Sequence, residues 1–164
     1  GSDLLYPHHE SEIAQSEAFT GEKPFVKYWL HTGAVGYEGE KISKSLGNLV
    51  MISDLLKEYS PNVIRYLLLS HHYRKPWEFK HELLKSAAQS FEQITRALKE
   101  QGSKGSEKKE EITQAFTDAL DDDMDTPKAL EIVGDLAKKI HSQPTMYEQK
   151  QLGEMVKTLG FIEE

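Results

Sequence analysis

From Leu83 to Leu98 the apolar residues recur at helical spacing: Leu83, Leu84, Ala87, Ala88, Phe91, Ile94 and Leu98. Side chains so placed line one face of an α-helix, and a stripe that wide must be buried against another element. The spacing predicts one long amphipathic helix. The signature then returns in Ile112, Phe116 and Ala119-Leu120, in Leu130, Val133, Leu136 and Ile140 after Thr126-Pro127, and in Leu152, Met155-Val156 and Leu159 before Gly160. Amphipathic helices joined by short loops cover one another's stripes, so the second half of the chain is expected to be a helical bundle. No internal repeat accompanies it.

The first half reads differently. Leu4–Tyr6 is expected to end a buried strand, and Pro7 suits the first turn of a helix, where its missing N–H costs nothing. That helix is expected to run to about Phe19 and stop at Gly21. Phe25 to Ile42 reads as extended, with a hairpin-like turn at Glu38-Gly39. Ile52 to Tyr59 is a short helix capped by Ser53 or Asp54. Ser60-Pro61 starts another, with Val63, Ile64, Leu67 and Leu68 as its buried face. Gln101–Glu110 is polar and rich in Gly, Ser and Lys, a linker or mobile loop. The expected fold is mostly α with a small β portion, in segments 1–50, 51–100, 101–110 and 111–164.

Composition removes several classes. The 164 residues are 38% hydrophobic, enough for a globular core, and no apolar run approaches the length of a membrane span. No membrane association and a cytoplasmic location are expected. Without cysteine the chain has no disulfide, thiolate ligand or thiol nucleophile of its own. A net charge of −7 argues against a general nucleic-acid coat. Locally, Arg65, Arg74, Lys75, Lys80 and Lys85 lie among His71, His72, Tyr73 and Trp77 and form a stretch able to face phosphates. Acids also cluster at Asp118, Asp121, Asp122, Asp123 and Asp125; one or two carboxylates of the run from Asp121 to Asp125 are expected to cap a helix, whose positive N-terminus they suit, with a divalent-metal site as the alternative.

Two short patterns carry chemistry. Lys41-Ile42-Ser43-Lys44-Ser45, followed by Leu46-Gly47-Asn48, lies between a hairpin and a helix. Two ammonium groups on such a loop can reach a polyphosphate and neutralise charge developing on a pyrophosphate leaving group. The plain alternative is an exposed Lys/Ser turn. In Pro7-His8-His9-Glu10-Ser11-Glu12, His8 and Glu12 stand four apart on one helical face and can converge on a metal ion. The plain alternative there is an ordinary surface contact. No histidine follows Glu10 at the spacing of an HExxH protease motif.

The loop resembles the KMSKS signature of the class I aminoacyl-tRNA synthetases, with Ile42 in place of methionine. The run Asp3-Leu4-Leu5-Tyr6-Pro7-His8-His9-Glu10-Ser11-Glu12-Ile13-Ala14-Gln15-Ser16-Glu17 resembles cysteinyl-tRNA synthetases in particular. So do Trp29-Leu30-His31-Thr32-Gly33, Pro61–Tyr66, Ser70–Arg74 and Asp121–Leu130. The resemblance implies the C-terminal part of a class I (Rossmann-like, HUP-type) catalytic domain followed by a helical bundle. It assigns catalysis to Lys44, with Lys41 assisting, and nucleotide contacts to Lys41, Ser43, Lys44, Ser45, Trp29 and His31. It also implies ATP with Mg2+, and a Zn2+ ion held by His8, Glu12 and cysteines that this chain lacks. A substrate thiolate is a soft, strong zinc ligand and a serine hydroxyl is not, so such a metal discriminates where shape cannot. The implied partners are tRNA(Cys), ATP and cysteine, acting on a monomer. The HIGH-type histidine signature that pairs with the loop lies outside the chain, which is therefore expected to be inactive alone. A paralogous cysteine:aminosugar ligase, another class I synthetase, and a non-catalytic helical tRNA- or protein-binding module remain as alternatives.

Overall fold

The computed structural model describes residues 1–42, 47, 49–103 and 110–162, and the side chains at 41, 110 and 111 are not among what it describes. Two units interleave in sequence: Gly1–Asn48 with Tyr73–Phe79, and Leu49–His72 with Lys80–Glu164.

The first unit opens with two tight helical turns, Ser2–Leu4 and Leu5–His9, the second broken by Tyr6 at φ −137° and ψ 135°. The strand end expected at Leu4–Tyr6 is therefore replaced by helical turns, and these apolar residues are exposed rather than buried. Helix α1 (Glu10–Thr20) follows and ends where Gly21 turns left-handed at φ 73°, its N–H donating to the Glu17 carbonyl. The Glu17 carboxylate then accepts from the Phe25 N–H at 3.1 Å and pairs with Lys23 at 3.7 Å, which organises the exit from the helix.

Strands β1 (Val35–Tyr37) and β2 (Glu40–Lys41) form an antiparallel hairpin with Tyr37 opposite Glu40. Its turn has positive φ at both Glu38 (55°) and Gly39 (80°), the handedness that matches strand twist in a two-residue loop. A third strand, β3 (Trp77–Phe79), pairs parallel to β1, and the sheet order is β2-β1-β3. No strand was expected between the helix begun at Ser60-Pro61 and the long helix from Leu83, where β3 lies. The Glu78 carboxylate on β3 accepts from the Gly39 N–H at 3.1 Å and so ties down the hairpin turn.

In the second unit, α2 (Ile52–Leu55) has Met51 at its N-cap and no side-chain cap, unlike the Ser53 or Asp54 cap expected. Helix α3 (Pro61–Leu69) starts at Ser60-Pro61 and buries Val63, Ile64 and Leu67; Leu68 is half exposed and Asn62 is buried in its stead. The bundle comprises α4 (His81–Lys99), α5 (Glu110–Asp121), α6 (Thr126–Ser142) and α7 (Met146–Thr158). Its core joins Ile94 and Ala97 of α4, Phe116 and Ala119 of α5, Val133, Leu136, Ala137 and Ile140 of α6, and Leu152 and Met155 of α7. The alanines let neighbouring helices approach closely enough for the larger side chains to interdigitate.

Two caps confirm the bundle's phrasing. Asp125, from the acidic run, accepts from the Lys128 N–H at the start of α6. At the start of α7 the Thr145 hydroxyl accepts from the Glu148 N–H at 3.2 Å, an N-cap, and donates to the Glu148 carboxylate at 3.0 Å. Glu148 is buried and also paired with Lys139, which offsets the desolvation of its charge. Ahead of α5, Ser103 forms a bridge with Thr145, its N–H donating to the Pro144 carbonyl at 3.0 Å. A Cβ on Gly102 would lie 2.7 Å from the Thr145 and Met146 backbone, so this approach requires glycine.

After α7 the chain is gripped by α3. Gly160 turns at φ 76°, the Arg65 guanidinium reaches the Leu159 carbonyl at 3.5 Å, and the Phe161 ring sits 5.0 Å from Phe91. Asn62, 2% exposed, donates to the Ile162 carbonyl at 2.8 Å and accepts from the Ile162 N–H at 2.9 Å. Its amide thus pairs with one residue's backbone as a β-strand neighbour would. Asn62→Ala removes both bonds at a buried position and is expected to destabilise the bundle by about 1–3 kcal/mol. For a domain of this size that lowers the melting temperature by roughly 2–4 °C per kcal/mol. An unchanged thermal midpoint would show that water replaces the clamp without loss.

Candidate functional site

The first unit gathers aromatic and imidazole rings from either side of α1 and the segment after it. His9, half-buried at the end of the Leu5–His9 turn, shares a hydrogen bond of 2.8 Å between its Nδ1 and Nε2 of His31. The Trp29 indole lies 4.9 Å from the His9 ring and stacks on His31 at 6.0 Å with an interplanar angle of 10°. His8 stands beside His9 at 5.6 Å, exposed. The structure therefore brings together Trp29 and His31, both singled out in the sequence, and adds His9, which was not. Nothing local in the sequence marks a partnership across twenty-two residues.

Two imidazoles can share a proton only while at least one ring is neutral, because the acceptor nitrogen needs its lone pair. Partial desolvation first, then the neighbouring His31, His8 and the terminal ammonium, push the His9 pKa below its ordinary 6.5, with Glu12 opposing them. Lowered in the fold, the group takes up more protons in the unfolded chain. Its contribution to stability is therefore present above about pH 6.5 and is lost as the pH falls. An NMR titration is expected to place the His9 midpoint below that of a histidine in a short peptide, and His31→Ala is expected to move it back up. A midpoint at or above the peptide value would contradict the arrangement.

His8 and Glu12 are both exposed, at the turn before α1 and in its first turn. Among the described residues no three histidine or carboxylate groups cluster closely enough to hold a metal ion. One imidazole and one carboxylate would be half of a tetrahedral zinc donor set.

The signature sequence begins at the end of the sheet. Lys41 pairs with Gly36 at the end of β2, and the Ile42 N–H extends the ladder to the Val35 carbonyl at 3.3 Å. Ser43, Lys44 and Ser45 lie outside the described residues, as does the side chain of Lys41.

The basic stretch from Arg65 to Lys85 is divided between the units. Arg65 turns to the chain after α7, and Arg74 lies 5.0 Å over the Tyr73 ring. His71 and His72 are half-buried: His71 bonds the Leu67 carbonyl at 2.9 Å, and His72 lies 3.9 Å from Asp123. These histidines secure the end of α3 instead of facing outward. Among the described residues no helix is long and apolar enough to cross a membrane.

Residues 1–89 match the tRNA synthetases class I (C) catalytic domain, and residues 115–163 match the DALR domain. The chain is 46% identical over 151 residues to a cysteine–tRNA ligase of Bacillus licheniformis, a match covering 84% of this chain and 32% of that protein. It is 42% identical over 165 residues to one of Legionella pneumophila, covering 99% and 36%, and 39% identical over 178 residues to one of Thermococcus onnurineus, covering 99% and 37%. The chain spans about a third of the length of the curated relatives it matches. With a KMSKS-like sequence beginning at the end of β2 and a DALR match over helices of the bundle, the chain belongs to the class I (C) tRNA synthetase family, as a cysteinyl-tRNA synthetase fragment.

Proposed function

We propose that this chain supplies the phosphate-loop side of a cysteine-activating enzyme. In that reaction the cysteine carboxylate attacks the α-phosphorus of ATP, pyrophosphate leaves, and the aminoacyl group then passes to the 3′ end of tRNA(Cys). The observation that carries this reading is Lys41-Ile42-Ser43-Lys44-Ser45 at the end of a hairpin, within a segment that matches the class I catalytic domain.

Lys44 neutralises the β- and γ-phosphates as charge builds on the leaving pyrophosphate, and Lys41 assists from the end of β2. Ser43 and Ser45 hold the loop's hydrogen bonds around the nucleotide, and Mg2+ accompanies the ATP. Trp29 and His31 border the adenylate pocket, with His9 holding His31 in orientation. Catalysis of this kind is positioning and electrostatic stabilisation, without a covalent enzyme intermediate. His8 and Glu12 supply half of a zinc site whose remaining ligands come from outside the chain. The zinc, when bound, selects a thiolate over a hydroxyl. The names of the relatives favour tRNA over an amino sugar as acceptor. The parent works as a monomer in the cytoplasm.

Two measurements test this. Alone, the chain is expected to give no cysteine-dependent ATP–pyrophosphate exchange. Substituted for the matching third of the Bacillus licheniformis relative, it is expected to support exchange and to bind one zinc, with the zinc lost on His8→Ala. A chimera that folds and binds zinc but does not exchange would overturn the reading.

A further inference from the structure

Between α4, α7 and the segment after α7 lies a cavity of about 740 Å³, wholly within the second unit. Its walls are apolar: Phe91 and Leu98 of α4, Val156 of α7, and Phe161, whose ring stands 5.0 Å from that of Phe91. The polar groups beside these walls are already engaged. The Thr95 hydroxyl donates to the Phe91 carbonyl at 3.0 Å, and the Asn62 amide is committed to the Ile162 backbone. A sugar or a nucleobase in such a cavity would give up its hydrogen bonds with water and gain few in return, whereas a hydrocarbon gives up none.

One residue of α7 keeps the space open. Gly153 sits in the helix interior, where glycine is less stable than alanine. Neither a positive φ nor a close approach asks for glycine there, since a Cβ would meet only Leu98 Cδ2, at 3.9 Å. Both residues line the cavity, so a longer side chain at this position would enter it.

The charge at the rim is of one sign. Lys99 and Lys157 border the cavity and are exposed, and no carboxylate is among the described residues that line it. On α6, Lys128, Lys138 and Lys139 each pair with an acid; among the described residues neither Lys99 nor Lys157 does. Their stems extend the apolar wall while their ammonium groups stay in water, ready for an anionic head. We propose that this cavity is a binding site for an amphiphilic carboxylate, its alkyl or aryl tail seated among Phe91, Leu98, Val156 and Phe161 and its head held by Lys99 and Lys157. Such a ligand joins α4 to α7 and stabilises the folded bundle by mass action. The proposal does not rest on the catalytic reading.

The probe is decanoate below its micellar concentration, with decan-1-ol and decyltrimethylammonium as the same tail bearing no charge and the opposite charge. Calorimetric titration of the chain is expected to show one saturable decanoate site, about tenfold or more tighter than decan-1-ol, with no saturable binding of the cation. The methyl resonances of Leu98 and Val156 are expected to shift, and the thermal midpoint to rise with decanoate concentration. Lys99→Gln combined with Lys157→Gln is expected to bring decanoate down to the affinity of decan-1-ol without changing the unliganded thermal midpoint. Gly153→Leu is expected to abolish binding of both, and the lysine pair decides if that variant does not fold.

Equal affinity for the three tails would overturn the proposal, as would decanoate binding that the lysine substitutions leave untouched, or no saturable binding at all. Sedimentation and the chimera described above expose other occupants. A dimer of the free chain that decanoate dissociates would assign the cavity to a second copy. A folded chimera that no longer binds decanoate would assign it to the relative's further polypeptide. Either result overturns the ligand site.

Discussion

Lys44→Ala, in the chimera that carries this chain within a full-length relative, is expected to lower cysteine-dependent ATP–pyrophosphate exchange by about 10²- to 10³-fold. That is the loss typical of removing one preorganised charge-stabilising donor. The ammonium meets charge that grows as the bond to pyrophosphate breaks, so its removal acts on kcat more than on the KM for cysteine. Lys44→Arg is expected to recover little, because the guanidinium is a broad planar fork where the loop presents a compact charge on a flexible stem. Lys41→Ala is expected to do less harm than Lys44→Ala. Steady-state exchange kinetics check all three, and a Lys44→Ala rate within threefold of the parent would remove the lysine from the mechanism.

Gly33→Ala is expected to be the most damaging conservative substitution for the first unit's fold. A Cβ there would stand 2.5 Å from the carbonyl carbon and oxygen of Lys75 and 2.7 Å from the Pro76 nitrogen. These are backbone atoms, which cannot rotate away, so the segments must separate. Separation loses the 2.7 Å bond from the Gly33 N–H to the Tyr73 carbonyl and strains the neighbouring 3.1 Å bond from the Trp77 N–H to the Ala34 carbonyl. The register that sets Val35 against Trp77 begins immediately after. Overpacking of this kind costs about 3 kcal/mol. Amides of β1 and β3 are expected to lose protection while those of α6 keep theirs. Gly153→Ala makes the contrast: its new Cβ meets only Leu98 Cδ2, at 3.9 Å, and in a helix alanine is favoured over glycine by up to about 1 kcal/mol. Equal effects from the two substitutions would show that close approach at Gly33 is not what matters there.

How much of this was legible before any coordinates depends on the range of the interaction that decides each feature. The bundle's stripes were readable because helical burial repeats within a few residues, and Phe116, Val133, Ile140 and Leu152 all lie in the core. The stop at Gly21 and the turn at Glu38-Gly39 were readable because positive φ is a property of single residues. Strand β3 was not, because three residues carry no period and its partner lies some forty positions upstream. Leu68 misled because α3 places buried Asn62 where a local hydrophobic count would have chosen a leucine. Leu4–Tyr6 misled more deeply: an apolar run signals burial, but these residues are exposed here. Within the candidate site, Trp29 and His31 were found by motif, and His9 emerged only from its geometry with them.

The grip of Asn62 on Ile162 also sets an order of events during synthesis. The two residues are 100 positions apart, and Arg65 with Leu159 and Tyr66 with Phe161 span nearly the same interval. Contacts that distant are made after local helices have formed, because the entropy of closing so long a loop is met only when many contacts close together. On the ribosome, α3 emerges early, and its Asn62 amide cannot bind the Ile162 backbone until that residue has left the exit tunnel. The second unit therefore closes late at this point, Ile162 against α3, and a nascent chain halted short of Ile162 lacks this clamp although α3 can already pack on α4.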